Sequence, residues 1–142
     1  MLKKIILVVV VIGLLGGAYG YFFMYNKSHP DYEQLEAEIN VSANDLFHAC
    51  RDEGLSSKYT GKLLEITGIP NEVEVHDSLS TLVFVFDEGM FGPEGVRVTF
   101  LSHYNDQIQH LSLNKEIRIK AYCTGFNETD VILEKASLVN EQ

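Results

Sequence analysis

Two stretches of this 142-residue chain carry residues whose types and spacing could hold a ligand. In Val96 to Phe100, Val96, Val98 and Phe100 alternate with Arg97 and Thr99. In Glu116 to Cys123, Ile117, Ile119, Ala121 and Cys123 alternate with Arg118, Lys120 and Tyr122. Alternation of period two puts one set on each face of a strand, so Arg97, Thr99, Arg118, Lys120 and Tyr122 are expected on an outer surface. Guanidinium, ammonium and phenol groups on such a surface bind anions and stack on planar groups. Val83 and Val85 join this candidate binding face, because Leu82-Val83-Phe84-Val85-Phe86 is apolar on both sides of its strand. The outer side of such a strand needs cover, from a helix or from a partner.

No grouping is expected to do catalysis or to hold a metal or cofactor. Asp52, Glu53, Asp87 and Glu88 could serve a hydrolase if His76 or His103 joined them, but all four fall in turn sequences, where acids ordinarily serve solvation. His103 and His110 are seven residues apart, on about one helical face, without a third ligand in reach. His48 and Cys50 point about 200° apart on a helix. Cys50 and Cys123 lack CxxC or Cys/His spacing and sit on the apolar sides of their own elements, where cysteine acts as a small hydrophobe; whether they pair is left open. Asp87 to Gly95, D-E-G-M-F-G-P-E-G, reads as a glycine-rich turn with neither the residue order nor the lysine of a phosphate loop.

The elements that must position these residues follow an N-terminal apolar run. Residues Ile5 to Met24 carry no charge and are about as long as the 20 residues that a membrane-crossing helix needs. Lys3 and Lys4 precede the run and Tyr19, Tyr21, Phe22, Phe23 and Tyr25 crowd its far end, which predicts a single-pass anchor with a cytoplasmic N-terminus. A cleaved signal peptide, with Ala18-Tyr19-Gly20 at the cut and a secreted product, is the alternative; the anchor is preferred because hydrophobicity continues past that point. The run has no cysteine near its end, which argues against a bacterial lipoprotein anchor. Gly13 and Gly17, like Gly16 and Gly20, have G-x-x-x-G spacing, which would let two such helices pack as a homodimer.

The chain is thus divided into an anchor over 1–25, an acidic juxtamembrane linker over 26–40 and a folded domain over 41–142. The formal charge is −9, and without Lys3 and Lys4 nine basic residues face 20 acidic ones, a balance of −11. Such acidity argues against nucleic acid and against anionic lipid as partners. Asn26-Lys27-Ser28, Asn40-Val41-Ser42 and Asn127-Glu128-Thr129 match the glycosylation sequon.

Within the domain, Ser42 reads as the N-cap of a helix whose stripe is Leu46, Phe47 and Cys50, ended by Gly54. Lys58 to Pro70 reads as the first strand, with Gly61 and Gly68 as sites of sharp coiling and Lys58 and Lys62 as partners of neighbouring acids. Glu72 to Val75 and Thr81 to Phe86 follow as one or two strand pieces, then Val96 to Phe100. Ser102 to Leu111 reads as a helix resting on Leu101, Ile108 and Leu111, and strands at Glu116 to Cys123 and Asp130 to Val139 complete the order. A helix between the third and fourth strands is the placement found in an OB-fold. The expected fold is therefore all-β with added helices: a closed five-stranded OB barrel with an extra N-terminal helix, behind one transmembrane helix.

Ser42-Ala43 to Phe47, the K-Y-T-G-K of Lys58 to Lys62 with Glu65 to Gly68, and the C-T-G-F of Cys123 to Phe126 followed by Val131 to Leu133 resemble the tRNA_anti-like family over about Val41 to Val139. That resemblance implies a small OB-fold protein, largely bacterial, with an N-terminal membrane or signal segment. The family name reflects a likeness to anticodon-binding domains and implies neither tRNA binding nor catalytic residues. The chain departs from the family pattern at Ala136, where a cysteine is frequent, which removes one pairing habit of Cys123. The resulting expectation is a non-catalytic, membrane-tethered binding module of the bacterial envelope, with its domain on the periplasmic side and a protein or small ligand as partner. Single-stranded nucleic acid is the alternative ligand.

Overall fold

The computed structural model describes residues 1–25 and 31–139 and divides into two units, Met1–Pro30 and Asp31–Gln142. The first sequon, at Asn26, and His29-Pro30 lie outside the described residues. In the first unit, α1 (Leu2–Tyr19) continues into a π-helical turn, Gly20–Tyr25. The 21-residue stretch Lys3–Phe23 is long and apolar enough to cross a membrane by length and composition. Ile12, Leu14 and Phe22 within it are exposed.

The first strand of the second unit is β1 (Ile39–Ser42), whose first two residues fall in the stretch expected to be linker. Ser42 then caps α2 (Ala43–Arg51), its hydroxyl accepting from the Asp45 amide at 3.0 Å as the sequence predicts. Leu46, Phe47 and Cys50 are buried, and Ala43 and Ala49 widen the apolar stripe. The first strand starts later than expected. Ser56–Tyr59 is a helical turn, α3, closed by the amide and hydroxyl of Thr60 on the Ser56 carbonyl. That turn buries Tyr59 and places the Lys58 ammonium over its ring at 5.3 Å, instead of on a neighbouring acid. Strand β2 (Leu63–Gly68) follows, with Leu64 and Ile66 inward.

The remaining elements are β3 (Glu72–His76), β4 (Leu79–Gly89), β5 (Gly92–Phe100), a 3-10 turn (Ser102–Tyr104), α4 (Asn105–Gln109), β6 (Ile117–Phe126) and β7 (Asp130–Leu138). Asp77 and Ser78, both at positive φ, make the two-residue turn between β3 and β4. The glycine-rich stretch expected as a turn is instead mostly paired. β4 and β5 run on to Gly89 and Gly92, leaving Met90 and Phe91 exposed at the tip.

The expected closed five-stranded barrel is replaced by an open sheet of seven strands in the order β1-β2-β6-β7-β5-β4-β3. β1 on β2 and β5 on β7 are parallel, and the other neighbours are antiparallel. Two features raise the count. β1 adds an edge strand, and the pieces expected as one or two strands are two, β3 and β4, paired antiparallel across Asp77-Ser78; β2 ends before Ile69-Pro70-Asn71. Pro70 has no N–H for a ladder bond. Asn71 then ties the connection to β4, donating its amide to the Val83 carbonyl at 2.8 Å and accepting from the Val85 amide at 2.7 Å.

The core lies on the inner side of this sheet under α2 and α4 and includes Phe47, Phe84, Phe100, Ile108, Ile119 and Leu133. Gly95 is fixed by close approach. A Cβ there would stand 1.8 Å from the Phe84 carbonyl oxygen, beside the register shift between Val85 and Asp87.

Candidate functional site

β7 lies between β5 and β6, so the seven predicted surface residues divide into two groups. Val83, Val85, Arg97 and Thr99 lie on β4 and β5, and Arg118, Lys120 and Tyr122 on β6.

The first group is knitted into the sheet. Arg97 donates to Glu74 of β3 at 2.7 Å and to Asp130 of β7 at 3.1 Å. Asp130, 8% exposed, also accepts from the Gly95 amide at 3.0 Å. The hydrogen bond that Arg97 donates to Glu74, with the one to Asp130, outweighs burial and holds the guanidinium more firmly protonated than usual. To reach Glu74 from β5 the Arg97 side chain must cross β4 at Val83, its register partner, which accounts for a valine on the outer side being only 3% exposed. Thr99 pairs with Thr81 through their hydroxyls at 3.0 Å, and Val85 is half-buried.

The second group faces a segment of the same chain. On β6, Arg118 stands 3.4 Å from Glu65 of β2. Lys120 donates to the backbone carbonyls of Glu33 and Leu35 at 2.5 and 2.7 Å. The Tyr122 ring lies 5.4 Å from that of Tyr32, and the Lys135 ammonium stands over the other part of the pair, 4.9 Å from the Tyr32 centroid. Glu33 accepts from His103 at 2.6 Å, and together with burial its contact pushes the Tyr104 phenol above its usual range. Residues 31–38, D-Y-E-Q-L-E-A-E, therefore lie across the outer face of β6, with four acids and no base.

This segment is held chiefly by polar groups. Leu35 is 47% exposed, and an open groove of about 320 Å³ lined by Gln34 to Ala37, Asn40, Glu65 and Lys120 separates it from the sheet. Two charge-assisted hydrogen bonds, the exposed His103–Glu33 hydrogen bond and a ring contact amount to an attachment on the order of a few kcal/mol. Its C-terminal end is tied down where the Glu38 amide donates to the Leu63 carbonyl at 2.8 Å, directly before β1.

Sequence reasoning missed Tyr32, Glu33 and Lys135 as members of this surface. In β7, Val131 and Leu133 point inward, so strict alternation would send Lys135 into the core. A bulge intervenes: Leu133 pairs with Val98 and Ala136 with Phe100, leaving Glu134 and Lys135 opposite Thr99 alone. Lys135 takes φ +54° there, and the extra residue turns its ammonium toward Tyr32. A lysine at an inward-facing position, followed by an apolar residue one step out of phase, was the available signal.

The acids and histidines considered for catalysis are dispersed. Asp52 pairs with His48, and Asp87 and Glu94 with Arg51, which pins the β4–β5 hairpin to α2. The Glu88 amide, then Arg51, hold the Asp87 carboxyl below its usual range. His76 stands 3.8 Å from Glu74, and His110 contacts the Asp106 carbonyl at 2.7 Å. Among the described residues no three His, Cys, Asp or Glu side chains are placed to hold a metal. Cys50 and Cys123 are both buried free thiols; burial, with the nearby Cys123, pushes Cys50 up to about 11.

Among curated proteins none matches the sequence. Among solved structures, a candidate nucleic acid-binding lipoprotein from Klebsiella pneumoniae subsp. pneumoniae MGH 78578 shares the fold at a TM-score of 0.52. It is 17% identical, and the match covers 80% of this chain and 100% of that one. The family comparison matches residues 1–138, nearly the whole chain, and on that match the protein belongs to the tRNA_anti-like family.

Proposed function

We propose that the protein is a non-catalytic, membrane-tethered OB-like binding module. Its apolar helix holds it in the membrane with the N-terminus cytoplasmic and the folded unit on the periplasmic side. The observation that carries this reading is the outer face of β6, where Lys120 and Tyr122 already hold a peptide segment through an ammonium, two carbonyls and a tilted ring contact. A surface that binds in this way needs no nucleophile or base. The acids and histidines elsewhere being spent in separate pairs supports the same view. The Klebsiella neighbour is called a lipoprotein; in this chain the apolar helix would do the tethering, because the first cysteine is Cys50, far beyond it.

Single-stranded nucleic acid is the second reading, favoured by the nucleic-acid binding in that neighbour's name. The charge balance of the chain opposes it, as does the engagement of Arg97 and Arg118 by carboxylates. Titration of the full-length protein in nanodiscs with labelled single-stranded DNA and RNA separates the two. The first reading predicts no saturable binding even at low salt, where the phosphate contribution is strongest; saturable binding that weakens steeply with salt replaces it with the second. Protease added to spheroplasts should digest the folded unit, and full protection would overturn the orientation.

A further inference from the structure

Residues 31–38 supply no large side chain to the core, yet five groups of the folded unit converge on them. Lys120 takes two of their carbonyls, Tyr122 and Lys135 bracket the Tyr32 ring, and His103 and Tyr104 meet the Glu33 carboxylate. The sheet departs from regular pairing, with a lysine at positive φ, to aim Lys135 at that ring. Two carbonyls of a chain that turns at Tyr32 to Gln34, an aromatic ring and an acid one residue later are thus each met by a matching group. The open groove beneath Gln34 to Ala37 leaves this chain unsealed against the sheet.

We propose that the outer face of β6 with Lys135 and His103 is a peptide-binding surface for an acidic segment bearing a Tyr-Glu pair in a turn, and that residues 31–38 are its built-in, displaceable occupant. This rests on the binding-module reading and names its partner class. The observations favour peptide over nucleic acid, because Lys120 is satisfied by the neutral main-chain carbonyls of Glu33 and Leu35. Being attached at β1, the built-in segment competes at an effective concentration on the order of millimolar, so an outside peptide must outbid it or the segment must first be lifted.

The test uses the full-length protein in nanodiscs and a fluorescein-labelled peptide of the sequence D-Y-E-Q-L-E-A-E, followed by anisotropy. Wild type should bind it weakly. The Tyr32→Ala/Glu33→Gln double variant should bind it at least about tenfold more tightly, and adding Lys120→Met should remove that gain. If the double variant melts well below wild type, Glu33→Gln alone, at the exposed hydrogen bond to His103, carries the comparison. A folded variant that binds the peptide no better than wild type overturns the inference and leaves the binding-module reading standing. A variant that binds an eight-residue oligo(dT) and not the peptide overturns the peptide assignment. Steeply salt-dependent oligo(dT) binding by wild type overturns the binding-module reading as well.

Discussion

The two outer faces on either side of β7 hold their cations in opposite ways. Arg97 is locked by carboxylates rooted in β3 and β7, and its side chain seals Val83 beneath it. Lys120 is held by main-chain carbonyls of residues 31–38, a stretch with no residue in the core. Both patterns look alike in sequence, a basic residue between apolar ones on a strand. The difference is where the counter-groups are attached. Acids within the sheet make a cation part of the fold, whereas a segment lying over the sheet leaves the cation available to whatever replaces it.

The comparison can be broken hardest at Gly95→Ala. A methyl group there meets the Phe84 carbonyl at 1.8 Å and must part β4 from β5, so urea unfolding should show a loss of about 4 kcal/mol or more. Arg97→Met comes next. It leaves Asp130, 8% exposed, with its bond from Gly95 and no cation, and should cost about 2–4 kcal/mol by the same measurement. If that loss were under about 0.5 kcal/mol, as for an ordinary surface pair, the distinction between the faces would fail.

Stability at high pH sharpens the picture from α2, on the inner side of the sheet. Cys50 titrates near 11 in the folded state against about 9 when unfolded, so the native state keeps its proton longer. The contribution is fully present below about pH 9 and is lost as pH rises from there through about 11. The loss approaches about 2–3 kcal/mol, visible as a falling unfolding midpoint that Cys50→Ala would flatten. Lys120→Met has the smallest effect on stability, under about 1 kcal/mol, while making residues 31–38 more open to limited proteolysis.

Much of this architecture was legible in the residues. The Ser42 cap, the inward pairs Leu64/Ile66 and Val96/Val98, and the position of the helix between Phe100 and Ile117 follow from local patterns that the core reinforces. Edges were less visible. Ile39 to Ser42 is too short and too close to an acid-rich run to announce a strand, and only pairing with β2 makes it one. Lys58 to Thr60 alternates like a strand, but burying Tyr59 and bonding Thr60 to Ser56 favours a helical turn. The outer surface was half legible. Lys120 and Tyr122 stood out by alternation, while Tyr32 and Glu33 reach them from nearly 90 residues away, and the bulge that aims Lys135 shows only as a break in phase.

The account stands or falls on whether residues 31–38 cover Lys120. Lysine acetylation of the full-length protein, read by mass spectrometry, measures this directly, with exposed Lys115 in the turn before β6 as the internal standard. Lys120 should react about tenfold more slowly than Lys115 in wild type, the equivalent of about 1.4 kcal/mol of cover, and approach the Lys115 rate in Tyr32→Ala/Glu33→Gln. Equal rates at the two lysines in the wild-type protein would contradict it.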